Sequence, residues 1–201
     1  MIVILRAAFL LVFLAAVAAC GGSDSGDDGQ SSPAGTVTAE TAVDAVQSFD
    51  PEENDAVARL NEVAYAGGDF VPDLAPLLED EDAEPNQRWA ALYLIALATD
   101  TDEEIAVLKP VLDDPEPIFQ AMAAGSLAGL GVTDALPVLI EALSSDADLP
   151  FSEPPRPLSA YARLTLEHYT GESFDDAGGW EDWWDDAESG IRWEGGEYVT
   201  D

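Results

Sequence analysis

The sequence predicts an all-α fold, a short α-solenoid of paired helices closed by an aromatic C-terminal cap. Three observations carry this reading. From residue 50 onward the apolar residues recur at helical spacing, with no strand alternation. The helices come in pairs that repeat. Leu74-Ala75-Pro76-Leu77-Leu78 lines up with Leu108-Lys109-Pro110-Val111-Leu112, 34 residues on, and Leu108 and Leu112 line up with Leu139 and Leu143, 31 residues on. A period in the thirties with two helices per unit marks stacked helical repeats. Finally, a segment rich in tryptophan follows the last pair, where a stack of repeats needs its open apolar side covered.

The chain opens with Arg6 in a short leader and the unbroken apolar run of residues 7–19, AAFLLVFLAAVAA. This is the layout of a signal peptide: a basic start, a short apolar stretch, then small residues. The run is shorter than the roughly 20 apolar residues of a spanning helix. Val17-Ala18-Ala19-Cys20 resembles the bacterial lipobox, an aliphatic residue and two small ones before a cysteine. The resemblance implies cleavage after Ala19 and acylation of the Cys20 thiol. Residues 1–19 are then the lipoprotein signal peptide and Cys20 the lipidation site. Two or three acyl chains at about 0.8 kcal/mol per buried methylene would hold the protein on a bilayer. Cys20 is the only cysteine, so no internal disulfide is expected.

Residues 20–49 read as the acylated cysteine, a Gly/Ser/Asp tether and a first helix. The tether, 21–36, has no large apolar side chain to offset chain entropy. Val43, Val46 and Phe49 fall on one side of the helix expected over 38–49.

The repeat domain spans 50–171. Asp50-Pro51-Glu52-Glu53 reads as a cap with proline at the first helical position, followed by Val57, Leu60, Val63 and Ala64 on one face. Gly67-Gly68 stops that helix and Asp69 is placed to cap the next, whose stripe is Phe70, Leu74, Leu77 and Leu78. Helices are expected over 86–98, 102–114, 117–130 and 133–145, with Pro110 kinking the second. Residues 146–157 are a Pro-rich insertion. The run Asp114-Pro115-Glu116-Pro117, Ala123-Ala124, Leu127, Leu130-Gly131, Asp134-Ala135-Leu136-Pro137 and Leu139-Ile140-Glu141-Ala142-Leu143 resembles the HEAT-like repeat of phycobilin lyases and many bacterial repeat proteins. Arg88-Trp89-Ala90-Ala91 and Ala160-Tyr161-Ala162-Arg163 match the same pattern. Gln120 departs from it, standing where those repeats usually carry arginine.

The cap is 172–201. Tyr169-Thr170-Gly171, Phe174, Trp180, Trp183 and Trp184 resemble a tail that follows the last repeat in other HEAT-repeat proteins. Trp180 and Trp184, four apart, share a helix face. They are the candidate binding residues: an aromatic platform for a sugar or a cationic ligand, framed by Glu181, Asp182, Asp185 and Asp186. The competing reading makes them a buried cap.

With 41 Asp+Glu against 7 Lys+Arg, the chain carries a formal charge of −34. This argues against nucleic acid as a partner and against peripheral docking on anionic lipid, both of which need basic clusters. Surface charge on that scale suits a high-salt setting or simply a well-solvated protein.

No catalytic constellation is visible. His168 is the only histidine and lies between Glu167 and Tyr169 on a helix; the only thiol is committed to lipid. The acidic runs 79–82 and 100–104 fall at helix ends and turns and read as solvated surface. No cofactor and no metal are expected.

The function expected is a lipid-anchored scaffold on the extracytoplasmic side of a membrane, facing periplasm or cell exterior and holding a protein partner of the envelope. A carbohydrate-binding module built on the tryptophans, or a lyase-like enzyme by resemblance, are the alternatives. Replacing Cys20 by alanine is expected to shift the protein from the membrane to the soluble fraction, with intact mass losing the acyl chains. A Cys20→Ala protein that still sediments with membranes would refute the anchor.

Overall fold

The computed structural model describes residues 38–80, 82–98, 101–150 and 154–200. Cys20, the signal segment 1–19 and the tether lie outside the described residues. The fold is all-α, of HEAT-like helix pairs, with a small β-hairpin near the C-terminus. It divides into two compact units, one ending at residue 99 and one beginning at residue 100.

Among the described residues, the first unit holds four helices: α1 (Ala39–Gln47), α2 (Ala56–Ala66), α3 (Val71–Glu79) and α4 (Pro85–Ile95). The Thr38 side chain caps α1, accepting the Thr41 amide at 3.3 Å. Ala42, Val46 and Phe49 turn inward. Helix α2 starts later than its sequence suggests. Asp50 Oδ1 accepts the amide of Glu52 at 2.9 Å, so it closes a local turn and the helix begins only at Ala56. Ala56, Leu60 and Val63 are its buried stripe. Gly67, at φ +71, ends it as expected. Asp69 does not cap α3; Phe70 occupies the cap position and buries its ring, joining Val71, Leu74 and Leu78.

Helix α4 is apolar on all sides because neighbours cover all sides. Every residue from Arg88 to Ile95 is buried, and α4 packs on α1, α2 and α3. Phe49 stacks on Trp89 at 5.4 Å and Trp89 on Tyr93 at 5.2 Å, an aromatic spine through the unit. The Tyr93 hydroxyl donates to Asn61 Oδ1 at 2.7 Å.

The second unit holds α5 (Thr101–Leu108), α6 (Pro117–Gly129), α7 (Ala135–Ala142), α8 (Leu158–Thr170) and α9 (Ala177–Ala187), then strands β1 (Arg192–Glu194) and β2 (Glu197–Val199). Here the helix expected over 102–114 is corrected. It does not kink at Pro110; it stops at Leu108, and a 3-10 turn over Pro110–Asp113 replaces its second half. Proline has no amide for the Ala106 carbonyl and its ring crowds that carbonyl. Pro76, in the matching position of α3, is accommodated inside its helix.

Helix α6 is the centre of this unit, touching α5, the 3-10 turn, α7 and α8. Its small residues permit close approach. A Cβ on Gly125 would lie 1.8 Å from the Tyr161 hydroxyl, and one on Gly129 would lie 2.5 Å from the Tyr169 hydroxyl. Two tyrosines of α8 therefore fill the space where α6 has no side chains. Gly131 then ends α6 in a Schellman turn, the Val132 amide reaching the Leu127 carbonyl at 3.0 Å and the Gly131 amide that of Ala128 at 3.0 Å. The Pro-rich insertion is pinned at its base, with the Leu149 amide on the Arg156 carbonyl at 2.7 Å and the Leu158 amide on that of Ala147 at 2.8 Å.

The hairpin corrects the expectation of no strands. Gly195 and Gly196 both take positive φ, +67° and +104°, which suits a two-residue hairpin turn. The strands are three residues each, too short for alternation to show against the helical background. Trp193 pairs across with Tyr198, ring centroids 4.8 Å apart, and β2 packs on α8. Trp193 also lies against Gly131, where a Cβ would sit 2.5 Å from the indole.

Burial raises the phenols of Tyr161 and Tyr198, and pushes that of Tyr93 up to about 12, with the Asn61 hydrogen bond opposing the shift. A phenol harder to ionise in the fold than in the open chain favours folding below pH ~10 and loses that contribution as pH climbs toward 12 and above. The unfolding free energy measured in denaturant melts is therefore expected to fall above pH ~10, by on the order of 2–3 kcal/mol from Tyr93 alone. Tyr93→Phe should flatten the fall; an unchanged alkaline profile would contradict the burial.

Candidate binding groove

Asp176 starts α9, its Oδ1 accepting the Gly179 amide at 3.0 Å. Arg163 of α8 reaches the segment just before it, donating from both guanidinium nitrogens to the carbonyls of Phe174 and Asp175, the latter at 3.2 Å. This clamp sets where α9 begins. Trp180, 0% exposed, then locks the helix down. Its ring meets Phe174 edge-on at 4.9 Å and Trp183 edge-on at 5.7 Å.

Helix α9 lies on α7. Between them runs an open groove of about 270 Å³. Pro137, Ile140, Glu141 and Ser144 form one wall, at the i, i+3, i+4, i+7 spacing of a single helix face. Glu181, Trp184 and Asp185 form the other. Trp184 is half-buried, with part of its indole open to the groove, while Glu141, Glu181 and Asp185 are exposed.

The two candidate tryptophans therefore separate. Trp180 faces inward and cannot meet a ligand, so the binding role proposed for it is corrected to that of an anchor for the cap. One turn further, at the edge of the contact with α7, Trp184 remains accessible. Of the four framing acids, Glu181 and Asp185 line the groove, whereas Asp182 and Asp186 do not. The sequence reasoning missed the α7 wall. Its signal was the exposed Glu141 between buried Ile140 and Ala142, but what lies opposite that face is set by the cap.

The arginine position of the repeats also resolves. Arg88, 2% exposed, donates from Nε to the Leu78 carbonyl at 3.2 Å, near the end of α3. Gln120 donates from Nε2 to the Asp114 carbonyl at 2.7 Å, at the end of the 3-10 turn. Both satisfy backbone acceptors that a helix end leaves without partners. The glutamine does this with a neutral amide.

Elsewhere, Glu104 is a buried carboxylate that accepts the Ser126 hydroxyl at 2.9 Å. His168 is exposed, edge-on to Tyr169 at 4.6 Å. Among the described residues, no group of three or more His, Cys, Asp or Glu is placed to hold a metal ion, and no helix is long and apolar enough to cross a membrane.

Residues 71–151 match the family model of HEAT repeats. The match covers α3 through α7 and agrees with the paired helices described above. No curated protein and no solved structure matches the chain. HEAT repeats generally serve as scaffolds for protein interactions, because stacked pairs present extended surfaces.

The burial difference predicts different costs for the two tryptophans. Trp180→Ala is expected to destabilise the protein by about 3–5 kcal/mol, as for a large core side chain. Trp184→Ala should cost on the order of 1 kcal/mol or less. Denaturant melts of both variants check this, and equal costs would contradict the assigned packing.

Proposed function

We propose that the chain is a lipid-anchored, extracytoplasmic scaffold whose HEAT-like repeats hold a protein partner in the cell envelope. The single observation that carries the scaffold reading is the HEAT-repeat match over 71–151, with the helix pairs that accompany it. The anchor rests on the apolar run 7–19 followed at once by Cys20. The acid excess supports covalent rather than electrostatic attachment, since anionic lipid repels a chain of net charge −34. The carbohydrate reading loses one of its two platform tryptophans with Trp180 buried.

The test is crosslinking in intact cells of the native host. A photoreactive amino acid replaces Glu116 or Ser144, both exposed, on the full chain with its signal peptide. The expected result is a discrete adduct with one protein, formed with the wild-type Cys20 chain and reduced severalfold with Cys20→Ala. A diffuse ladder or no adduct at either position would overturn the scaffold reading. Equal adducts from the Cys20→Ala chain would overturn the requirement for the anchor.

A further inference from the structure

We infer that the groove between α7 and α9 is a receptor for a single arginine side chain projecting from a protein partner. The inference rests on the scaffold reading and names the chemistry by which the scaffold holds its partner.

Three observations point to this occupant. First is shape. A groove of about 270 Å³ falls just below the ~300–1,000 Å³ of small-molecule pockets, so it suits one side chain of a larger partner better than a whole free ligand. Second is the floor. Pro137, Ile140 and the open part of the Trp184 indole provide apolar surface for a methylene stem and an aromatic face for a flat cation. Third is charge. Glu141 stands on one wall, Glu181 and Asp185 on the other, and none of the three carboxylates is engaged by a cation among the described residues.

The chain has few cations to supply. Arg59 is held by Glu53 and Asp55, Lys109 by Asp134 at 2.7 Å, and Arg192 by Glu194 at 3.2 Å. Arg88 and Arg163 are spent on backbone carbonyls. Among the described residues no ion pair brings a cation to the groove, which leaves its carboxylates open to one from a partner. Arginine fits better than lysine: its planar guanidinium stacks on indole and makes forked hydrogen bonds to carboxylates, whereas an ammonium does neither.

The test titrates the full chain, in detergent, with capped tripeptides Gly-Arg-Gly, Gly-Lys-Gly and Gly-citrulline-Gly. Binding is followed through the indole N–H resonances, with the Trp184 signal assigned by Trp184→Phe. The arginine peptide is expected to shift the Trp184 signal and leave that of buried Trp180 in place. The citrulline peptide, which is nearly isosteric but neutral, should bind about tenfold more weakly or worse, and the lysine peptide severalfold more weakly. The combined Glu141→Gln, Glu181→Gln, Asp185→Asn variant changes only exposed side chains and should lower arginine affinity about tenfold or more while keeping the wild-type melt. Equal affinity for arginine and citrulline, a shift at Trp184 produced by a chitin or glucan oligosaccharide instead, or no loss in the triple variant would each overturn the inference. The two readings fail separately. An adduct formed in cells from position 116 that the triple variant leaves intact removes the groove and keeps the scaffold, whereas no adduct from either position removes the scaffold itself.

Discussion

The second unit depends on the absence of side chains along one strip of α6. Gly125 and Gly129 leave room for the hydroxyl ends of Tyr161 and Tyr169, so α8 can sit close against α6. Gly131 continues the strip beyond the helix end, and Trp193 occupies the space beside it. Dense packing of this sort tolerates little added volume, because moving one ring displaces the next. Tyr169 stands 5.9 Å from Trp193, which in turn stands 4.8 Å from Tyr198. The placement of the hairpin thus derives from glycines some 60 residues earlier in the chain.

A second constraint recurs along the chain. Each stacked helix ends in carbonyls without partners, and burying them is costly. Arg88 and Gln120, each the fourth residue of its helix, deliver donors to such carbonyls, and Arg163 of α8 delivers its donors to two loop carbonyls. The first two close the preceding turn, while Arg163 reaches forward to the segment that leads into α9. The repeat motif therefore does its structural work through donor groups more than through net charge, which is why a glutamine can replace an arginine in the middle unit.

These duties bear on the electrostatics. Among the described residues, Arg59, Lys109 and Arg192 are drawn into ion pairs and Arg88 and Arg163 onto backbone carbonyls, and most acids are left to water. Most of the acidic surface is generic. The groove differs because three of its carboxylates stand around a partly open indole in one concavity.

The sequence alone determined the all-α class, the helix pairs, the positions of the glycine stops and the presence of an aromatic cap, because each follows from spacing and local backbone chemistry. It also carried the apolar run before Cys20, the basis of the proposed anchor. It misjudged the start of α2, the outcome at Pro110 and the strands around Gly195-Gly196, where a local turn, a lost hydrogen bond and a three-residue element leave weak periodic signals. Only tertiary structure decided that Trp180 is inside while Trp184, on the same helix face, borders a groove. Periodicity says which side chains share a face. How far the neighbouring helix extends over that face depends on residues distant in the chain, here Pro137 to Ser144 of the α7 segment and the Arg163 clamp.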